Sequence, residues 1–294
     1  MTMIVHGGSR WGGQSPIIPS WFDADALAEQ AAHCLILELE TWPKPGLVSH
    51  VDRGSHTDMD AALFRASVDA IAPFLNDLCR AGARNAEMEE LRAIGLAAEA
   101  AMFEATRGTN THRGAIFGLG LLCAAAGARA AGRIAPQRSL GECVAELWGA
   151  DIRDGPVLLR SHGAEMYRRY GTGGARLEAA RGFPSVYRVG LPALDAAAAK
   201  RPDDAEAQRV EICFALIAAV DDTNLLHRGG PIGLAFARSA ACRFLTGGGI
   251  AHADWRRQAA AIHRDFVRRR LSPGGAADLL AMTLFVDACE RWRP

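Results

Sequence analysis

The sequence predicts an all-α protein built as a single large multi-helix domain. Alanine is the most frequent residue, and long stretches lack the β-branched runs that favour strands. Apolar residues recur at spacings of three and four in one segment after another, and no segment alternates as a half-buried strand. A chain of 294 residues is long enough for one large core, and two helical lobes around a central cleft are the alternative arrangement.

The apolar periodicity places ten helices along the chain. The first carries Leu27, Ala31, Cys34 and Leu35 on one face and stops before Trp42-Pro43. Two starts have a capping-box pattern, at Ser139 with Glu142 and at Asp203 with Glu206. In order, the predicted helices are Asp23–Glu40, Ala61–Ala81, Ala86–Ala105, Arg113–Ala128, Leu140–Gly149, Val157–Tyr170, Asp204–Val220, Pro231–Leu245, Ala253–Leu271 and Gly275–Trp292. The glycine- and proline-rich stretch 171–202 predicts a structured loop, and no break in composition marks a domain boundary.

The composition excludes several classes of protein. The chain has 33 basic and 33 acidic residues and a mean hydropathy of +0.02, which excludes a disordered chain and a nucleic-acid binder that works through bulk positive charge. The apolar runs fall short of the ~20 residues of a membrane span. Residues 1–22 have no long apolar core, so we interpret them as a flexible N-terminal segment before a helical catalytic domain, 23–294. Seven cysteines without a CxxC indicate buried, reduced thiols in a cytoplasmic protein.

Two polar patches follow the first predicted helix. Lys44 lies between two prolines in a chain whose only other lysine is Lys200. A compact ammonium there suits a phosphate or carboxylate, and a solvated turn is the alternative. The next patch, 49–60, contains two histidines and several aspartates, including His56 and Asp58. These side chains can ligate a cation or act as a base, whereas capping by Thr57 or Asp58 is the structural alternative.

Two further patches contain anion- and cation-binding groups. Asn110, Thr111, His112 and Arg113 lie at the start of an apolar helix, where free N–H groups favour an anion, and a capped helix start is the alternative. Asp221-Asp222 follows the helix that ends at Val220. Acidic charge is unfavourable at a helix C-terminus, so this pair predicts a compensating cation, either Arg228 or Mg²⁺. Glu38 and Glu40 repeat the pattern at the end of the first helix, which predicts a shared cation site.

Glycines open two more segments to close approach by a ligand. Arg176 and Glu178 follow Gly173-Gly174, and Ser272-Pro273-Gly274-Gly275 leads into the last helix. Helix capping explains either segment equally well. A nucleophile elbow, a dinucleotide-binding GxGxxG after a strand and an HExxH are all absent from the sequence. The residues therefore indicate a helical enzyme that binds a polyphosphate through Mg²⁺.

Six of these motifs, taken in order over about residues 25–292, resemble the triphosphoribosyl-dephospho-coenzyme A synthase family. They are Pro43-Lys-Pro-Gly-Leu-Val48, Gly54-Ser-His-x-Asp-Met59, Asn110-Thr-His-Arg-Gly-Ala-Ile-Phe117, Gly174-Ala-Arg-x-Glu-Ala179, Asp222-Thr-Asn224 with His227-Arg-Gly-Gly230, and Ser272-Pro-Gly-Gly-x-Ala-Asp-Leu-Leu280. The run from Lys44 to Asp52 is more similar to the malonate decarboxylase branch than to the citrate lyase branch.

The resemblance implies an enzyme that joins ATP to 3′-dephospho-CoA, releases adenine and makes the precursor of an acyl-carrier prosthetic group, which passes to a carrier-protein loading enzyme. It implies catalytic roles for Glu38, Asp58, His56 and His112, with Asp58 or Glu38 as the catalytic carboxylate. The residues implied to bind substrate or phosphate are Lys44, Asn110, Thr111, Arg113, Arg176, Asn224, Arg228, Ser272, Gly274 and Gly275. Asp221 and Asp222 are expected to hold Mg²⁺.

Two other functions fit the same residues. A Mg²⁺-dependent helical hydrolase would cleave a nucleotide N-glycosidic or phosphate bond with the same carboxylates and water as the nucleophile. A non-catalytic helical chaperone for a carrier protein is the second alternative, although it would not need charges clustered at helix ends. We expect neither a nucleic-acid nor a membrane partner, and a homodimer is compatible with the sequence.

Overall fold

Helices account for all the regular structure in a computed structural model that describes residues 23–156 and 169–291. The α-helices in these ranges are α1 (Ala24–Leu39), α2 (Ala61–Ala83), α3 (Met88–Ala105), α4 (Arg113–Ala130), α5 (Leu140–Asp154), α6 (Gly174–Ala180), α7 (Leu191–Lys200), α8 (Ala205–Ala219), α9 (Thr223–Thr246), α10 (Trp255–Arg268) and α11 (Gly274–Glu290). Within these ranges there is no strand, so the all-α prediction is confirmed. The expected flexible segment 1–22 and nearly all of the predicted helix Val157–Tyr170 lie outside the described residues.

Two helices buried on every side form the centre of the molecule. Most residues of α4 and α11 are inaccessible to solvent, and α4 packs against α2, α3, α5 and α11. Small residues let α4 lie close to α2, because a Cβ built on Gly82 would lie 1.8 Å from the Ala124 carbonyl oxygen. The buried apolar residues form one continuous cluster across the described residues, so a single core explains the fold without two lobes.

The structure corrects several predicted boundaries. The expected loop 171–202 contains α6, a π-helical turn at Val186–Gly190 and α7, where glycines at the helix ends hid short alanine-rich helices. Ser139 and Glu142 form the predicted capping box, whereas α8 is capped by Asp204 and not by Asp203. The Asp222–Gly230 segment is itself helical and joins the predicted Pro231–Leu245 helix across a kink at Gly230.

Six of the seven cysteines are buried free thiols as predicted, and Cys242 is exposed. Among the described residues, no helix combines the length and apolar character needed to cross a membrane. The N-termini of several helices, with the loops that precede them, lie in one region of the molecule.

Candidate active site

Asp222 joins the N-termini of two helices. One carboxylate oxygen accepts hydrogen bonds from the backbone N–H groups of Asn224 and Leu225 in α9, at 2.8 and 3.1 Å. The other oxygen accepts from the Ala276 N–H in α11, at 2.9 Å. The residue is buried, and burial raises the pKa of Asp222 above its usual value against the opposing effect of these N–H donors. Asp222 is therefore the N-cap of α9, and the premise that its charge is misplaced at a helix C-terminus is wrong.

Asp221 and Asp222 do not converge on one cation position. Asp221 is exposed and pairs with Arg238 at 2.9 Å, whereas both oxygens of Asp222 accept backbone hydrogen bonds. Across the part of the chain that the structure describes, no three His, Cys, Asp or Glu side chains form a group that could hold a metal. The donor set thus does not fit the expected two-aspartate Mg²⁺ site, because one carboxylate already has partners and the other is turned away.

The predicted anion-binding residues 110–113 form the start of α4. The Asn110 side chain accepts a hydrogen bond from the backbone N–H of Arg113 at 3.2 Å. The Arg113 guanidinium is held by Glu99 at 2.7 Å, so it is turned along α3. Gly114 follows, and a Cβ built there would lie only 2.0 Å from a carboxylate oxygen of Asp278. The first turn of α4 and the second turn of α11 therefore meet at Gly114 and Asp278.

His112 is buried and fixed by a chain of hydroxyl groups. Thr111 Oγ1 donates to Ser67 Oγ at 2.7 Å, and Ser67 Oγ lies 2.7 Å from His112 Nδ1. The direction of the Ser67–His112 hydrogen bond depends on which ring nitrogen of His112 carries the proton. Burial, and secondly the charge of Lys44, lowers the pKa of His112 to about 3. His112 is consequently a neutral side chain with an N–H donor.

His56 lies between Ser272 and Arg228. Its Nε2 is 2.9 Å from Ser272 Oγ, and Arg228 Nη2 donates to its Nδ1 at 3.1 Å. Burial, then the Arg228 charge, lowers the pKa of His56 to about 4, so the ring is neutral. Asp58 is largely exposed with an oxygen 3.7 Å from His56 Nδ1. The predicted N-cap role of Thr57 or Asp58 is wrong, because Asp60 caps α2.

Lys44 and Glu38 form a buried ion pair. The Lys44 side chain is fully inaccessible, and its ammonium contacts a Glu38 carboxylate oxygen in the last turn of α1. Glu40, two residues further along the chain, is partly exposed and pairs with Arg65 at 2.9 Å. The two glutamates therefore do not share a cation. Phosphate contact by Lys44 stays a prediction, and such a contact would require the ion pair to open.

His263 on α10 fixes the loop that carries Lys44. Its Nδ1 lies 2.7 Å from the Lys44 carbonyl oxygen, and its Nε2 lies 3.2 Å from a carboxylate oxygen of Asp52. Ser55 Oγ donates to the Leu271 carbonyl at 2.6 Å and ties the end of the same loop to the segment before α11. These contacts hold the loop against α10 and against the segment that leads into α11.

The remaining predicted residues divide between the site and its surroundings. Asn224 lies against Gly274, since a Cβ there would be 2.7 Å from the Asn224 amide nitrogen, and a Cβ on Gly275 would be 3.0 Å from Asp222 Oδ2. Arg176 instead donates to the Arg153 and Pro156 carbonyls at the end of α5. Most predicted residues thus surround the N-termini of α4, α9 and α11, whereas Arg176 and Asp221 point to other partners.

Three residues of this region were not predicted as site residues. Ser67 lies within the apolar pattern of α2 and His263 within basic α10, so neither stands out in the sequence. Asp278 belongs to the Ser272–Leu280 motif and follows two alanines near the start of a largely apolar helix. A carboxylate among the apolar residues of the first half of this helix is the signal that could have identified it.

Comparisons with known proteins show which family the chain is similar to. The model of the family described as ATP:dephospho-CoA triphosphoribosyl transferase matches residues 24–294. A 2-(5''-triphosphoribosyl)-3'-dephosphocoenzyme-A synthase of Pectobacterium atrosepticum is 42% identical over 266 residues, 87% of this chain and 86% of the relative. A probable synthase of the same name from Azotobacter vinelandii is 40% identical over 276 residues, 91% of this chain and 92% of the relative. No solved structure matches the chain.

Proposed function

Because this chain belongs to the ATP:dephospho-CoA triphosphoribosyl transferase family and is therefore an enzyme, we propose that it transfers the triphosphoribosyl group of ATP to 3′-dephospho-CoA and releases adenine. The observation that carries this proposal is the meeting of the N-terminal turns of α4, α9 and α11 around buried and partly buried polar groups, including Asp278. The same region supplies groups for the triphosphate and for the reaction at the ribose.

The helix N-termini are the proposed anion-binding groups. Free N–H groups and the positive end of the helix dipole favour a phosphate at such positions. Gly274 and Gly275 in the first turn of α11 are half-buried against Asn224 and Asp222, and Arg228 lies at the rim beside His56. We place the triphosphate here because it is the most highly charged part of either substrate.

The reaction needs little beyond positioning, charge stabilisation and one proton transfer. Adenine leaves C1′ of the ATP ribose through an oxocarbenium-like state, and a 2′-hydroxyl of the acceptor ribose attacks that carbon. A carboxylate beside C1′ stabilises the developing positive charge, and holding both substrates in line contributes up to about 7–11 kcal/mol. Carboxylates next to bound phosphate suit this chemistry.

The two neutral histidines fit roles as hydrogen-bonding groups. An imidazolium beside C1′ would oppose the oxocarbenium charge, and burial keeps both His56 and His112 neutral. The Ser67 contact occupies Nδ1 of His112 and leaves Nε2 for a hydrogen bond with the substrate. We therefore assign His112 to orientation of the substrate and His56 to positioning of Arg228 and Ser272.

The proposal extends to the pathway, the cellular compartment and the metal ion. The similarity of residues 44–52 to one branch of the family favours a product destined for malonate decarboxylase, loaded by a carrier-protein loading enzyme. Six buried free thiols fit a reducing cytoplasm. Since the two aspartates do not form a metal site, Mg²⁺ would enter with the ATP phosphates.

Dependence of adenine release on the acceptor tests the proposal. The protein is incubated with Mg²⁺ and ATP, with and without 3′-dephospho-CoA, and adenine and phosphate are measured by chromatography. We expect adenine only when both substrates are present, in an amount equal to the 3′-dephospho-CoA consumed. Release of adenine or phosphate from ATP alone at the same rate would identify a hydrolase and refute the transferase.

A further inference from the structure

The carboxylates around the site differ in whether the protein already binds them. Glu38 is paired with Lys44, and Asp222 accepts backbone hydrogen bonds from α9 and α11. Asp52 accepts from the Gly54 N–H at 2.8 Å and lies 3.2 Å from His263. Among the described residues, Asp278 makes no hydrogen bond or ion pair. A partly buried carboxylate without a partner is unfavourable for folding and calls for a functional explanation.

The position of Asp278 suits a substrate contact. It lies in the second turn of α11, directly after the first turn that Asp222 caps, and its carboxylate faces Gly114 at the start of α4. Only a glycine leaves room there, since a Cβ at residue 114 would clash with the carboxylate. Asp278 is therefore held next to the proposed phosphate-binding N-termini with both oxygens available.

The electrostatic surroundings make this carboxylate a good proton acceptor. Burial, followed by the negative charges of Glu38 on α1 and Asp222 before α9, raises the pKa of Asp278 well above its usual value. Packed against it on α4 are the uncharged Gly114 and the helix N-terminus, with Arg113 directed to Glu99. A carboxyl group tuned upward in this way has a pKa nearer to the pH at which enzymes work.

We propose that Asp278 is the general base that accepts the proton of the attacking 2′-hydroxyl of 3′-dephospho-CoA, an inference that rests on the proposed transferase function. The hydroxyl oxygen forms a bond to C1′ of the ATP ribose as the C1′–N9 bond to adenine breaks. The electron pair of that bond leaves with adenine, and the hydroxyl proton moves to the Asp278 carboxylate. The adenine anion takes up one proton from water, and Asp278 returns its proton to the solvent, which regenerates the carboxylate. Atoms and charge balance without another reactant.

The substitution Asp278→Asn separates catalysis from folding. Asparagine keeps the shape of the side chain, removes its charge and cannot accept the proton. We expect kcat to fall by at least about 10²-fold, with the KM for ATP changed by no more than a few-fold and a Tm equal to or above that of the wild type. The wild-type kcat should fall at acid pH as Asp278 is protonated, and the residual activity of the variant should lack this acid limb.

Asp287→Asn is the matched control on the same helix. Asp287 forms an ion pair with Arg291, so its loss should lower the Tm and leave kcat near the wild-type value. A turnover of Asp278→Asn within a few-fold of wild type, a Tm lowered as in the control, or an unchanged acid limb would each overturn the assignment. If wild-type protein makes no adduct from ATP and 3′-dephospho-CoA, the proposed function itself fails, so the two failures are distinguishable.

Discussion

Loss of the buried ammonium of Lys44 should destabilise the protein, because Glu38 would remain charged and unpaired in the interior. The Lys44 side chain is fully inaccessible and the Glu38 side chain is 7% exposed. Breaking a buried pair from one side costs about 3–5 kcal/mol. At roughly 2–4 °C per kcal/mol for a large domain, Lys44→Ala should lower the Tm by about 10 °C.

Thermal and urea unfolding measure this loss of stability, and two further variants test its cause. The double variant Glu38→Gln with Lys44→Met removes both charges and should recover most of the lost stability, because neither partner is left charged. Arg65→Ala, which breaks the exposed pair with Glu40, should change stability by less than about 1 kcal/mol. If Lys44→Ala unfolds at the wild-type temperature and only ATP binding weakens, the structural role of Lys44 is refuted. That result would support a contact between Lys44 and a substrate phosphate.

Three other predictions concern the helix N-termini. Asp222→Asn should reduce the free energy of unfolding by about 2–3 kcal/mol in urea titrations. The control Asp221→Asn should reduce it by less than about 1 kcal/mol. An Asp222→Asn variant of wild-type stability with an increased Mg²⁺ requirement would instead support a metal site. Gly114→Ala should displace the Asp278 carboxylate and lower kcat at least about tenfold. The control Gly95→Ala, with open space around its Cβ, should keep full activity. If the two variants had equal activity, the contact between Gly114 and Asp278 would be contradicted. Because the pKa of Asp278 is raised in the folded state, the wild-type protein should lose stability as pH rises through that pKa. The Tm of Asp278→Asn should depend less on pH. If the Tm of both proteins changed in parallel with pH, the raised pKa would be contradicted.

Local pattern was sufficient to predict the helical fold and much of the candidate site. The spacing of apolar residues located most helices, and the polar segments between them contain His56, His112 and Asp222. The family resemblance is confirmed by the match over residues 24–294.

Partners distant in sequence could not be predicted in this way. In the sequence, Asp222 is an acidic residue that follows a helix. It caps α11 through a backbone N–H that lies 54 positions later in the chain. The sequence around Lys44 predicts an anion-binding lysine, whereas in the fold this side chain is buried and paired with Glu38. The unpartnered carboxylate of Asp278 is visible only once the partners of the neighbouring carboxylates are known. In each case tertiary contact, and not residue type, decides the role.

The connectivity of the product is the most direct test of the central proposal. The product formed from ATP and 3′-dephospho-CoA would be purified, and its mass and ribose linkages determined by mass spectrometry and NMR. We expect a single adduct that retains all three phosphates of ATP, with C1′ of the transferred ribose bonded to the 2′-oxygen of 3′-dephospho-CoA. A product that carries the adenine base, has lost phosphate, or consists of free ribose triphosphate would contradict it.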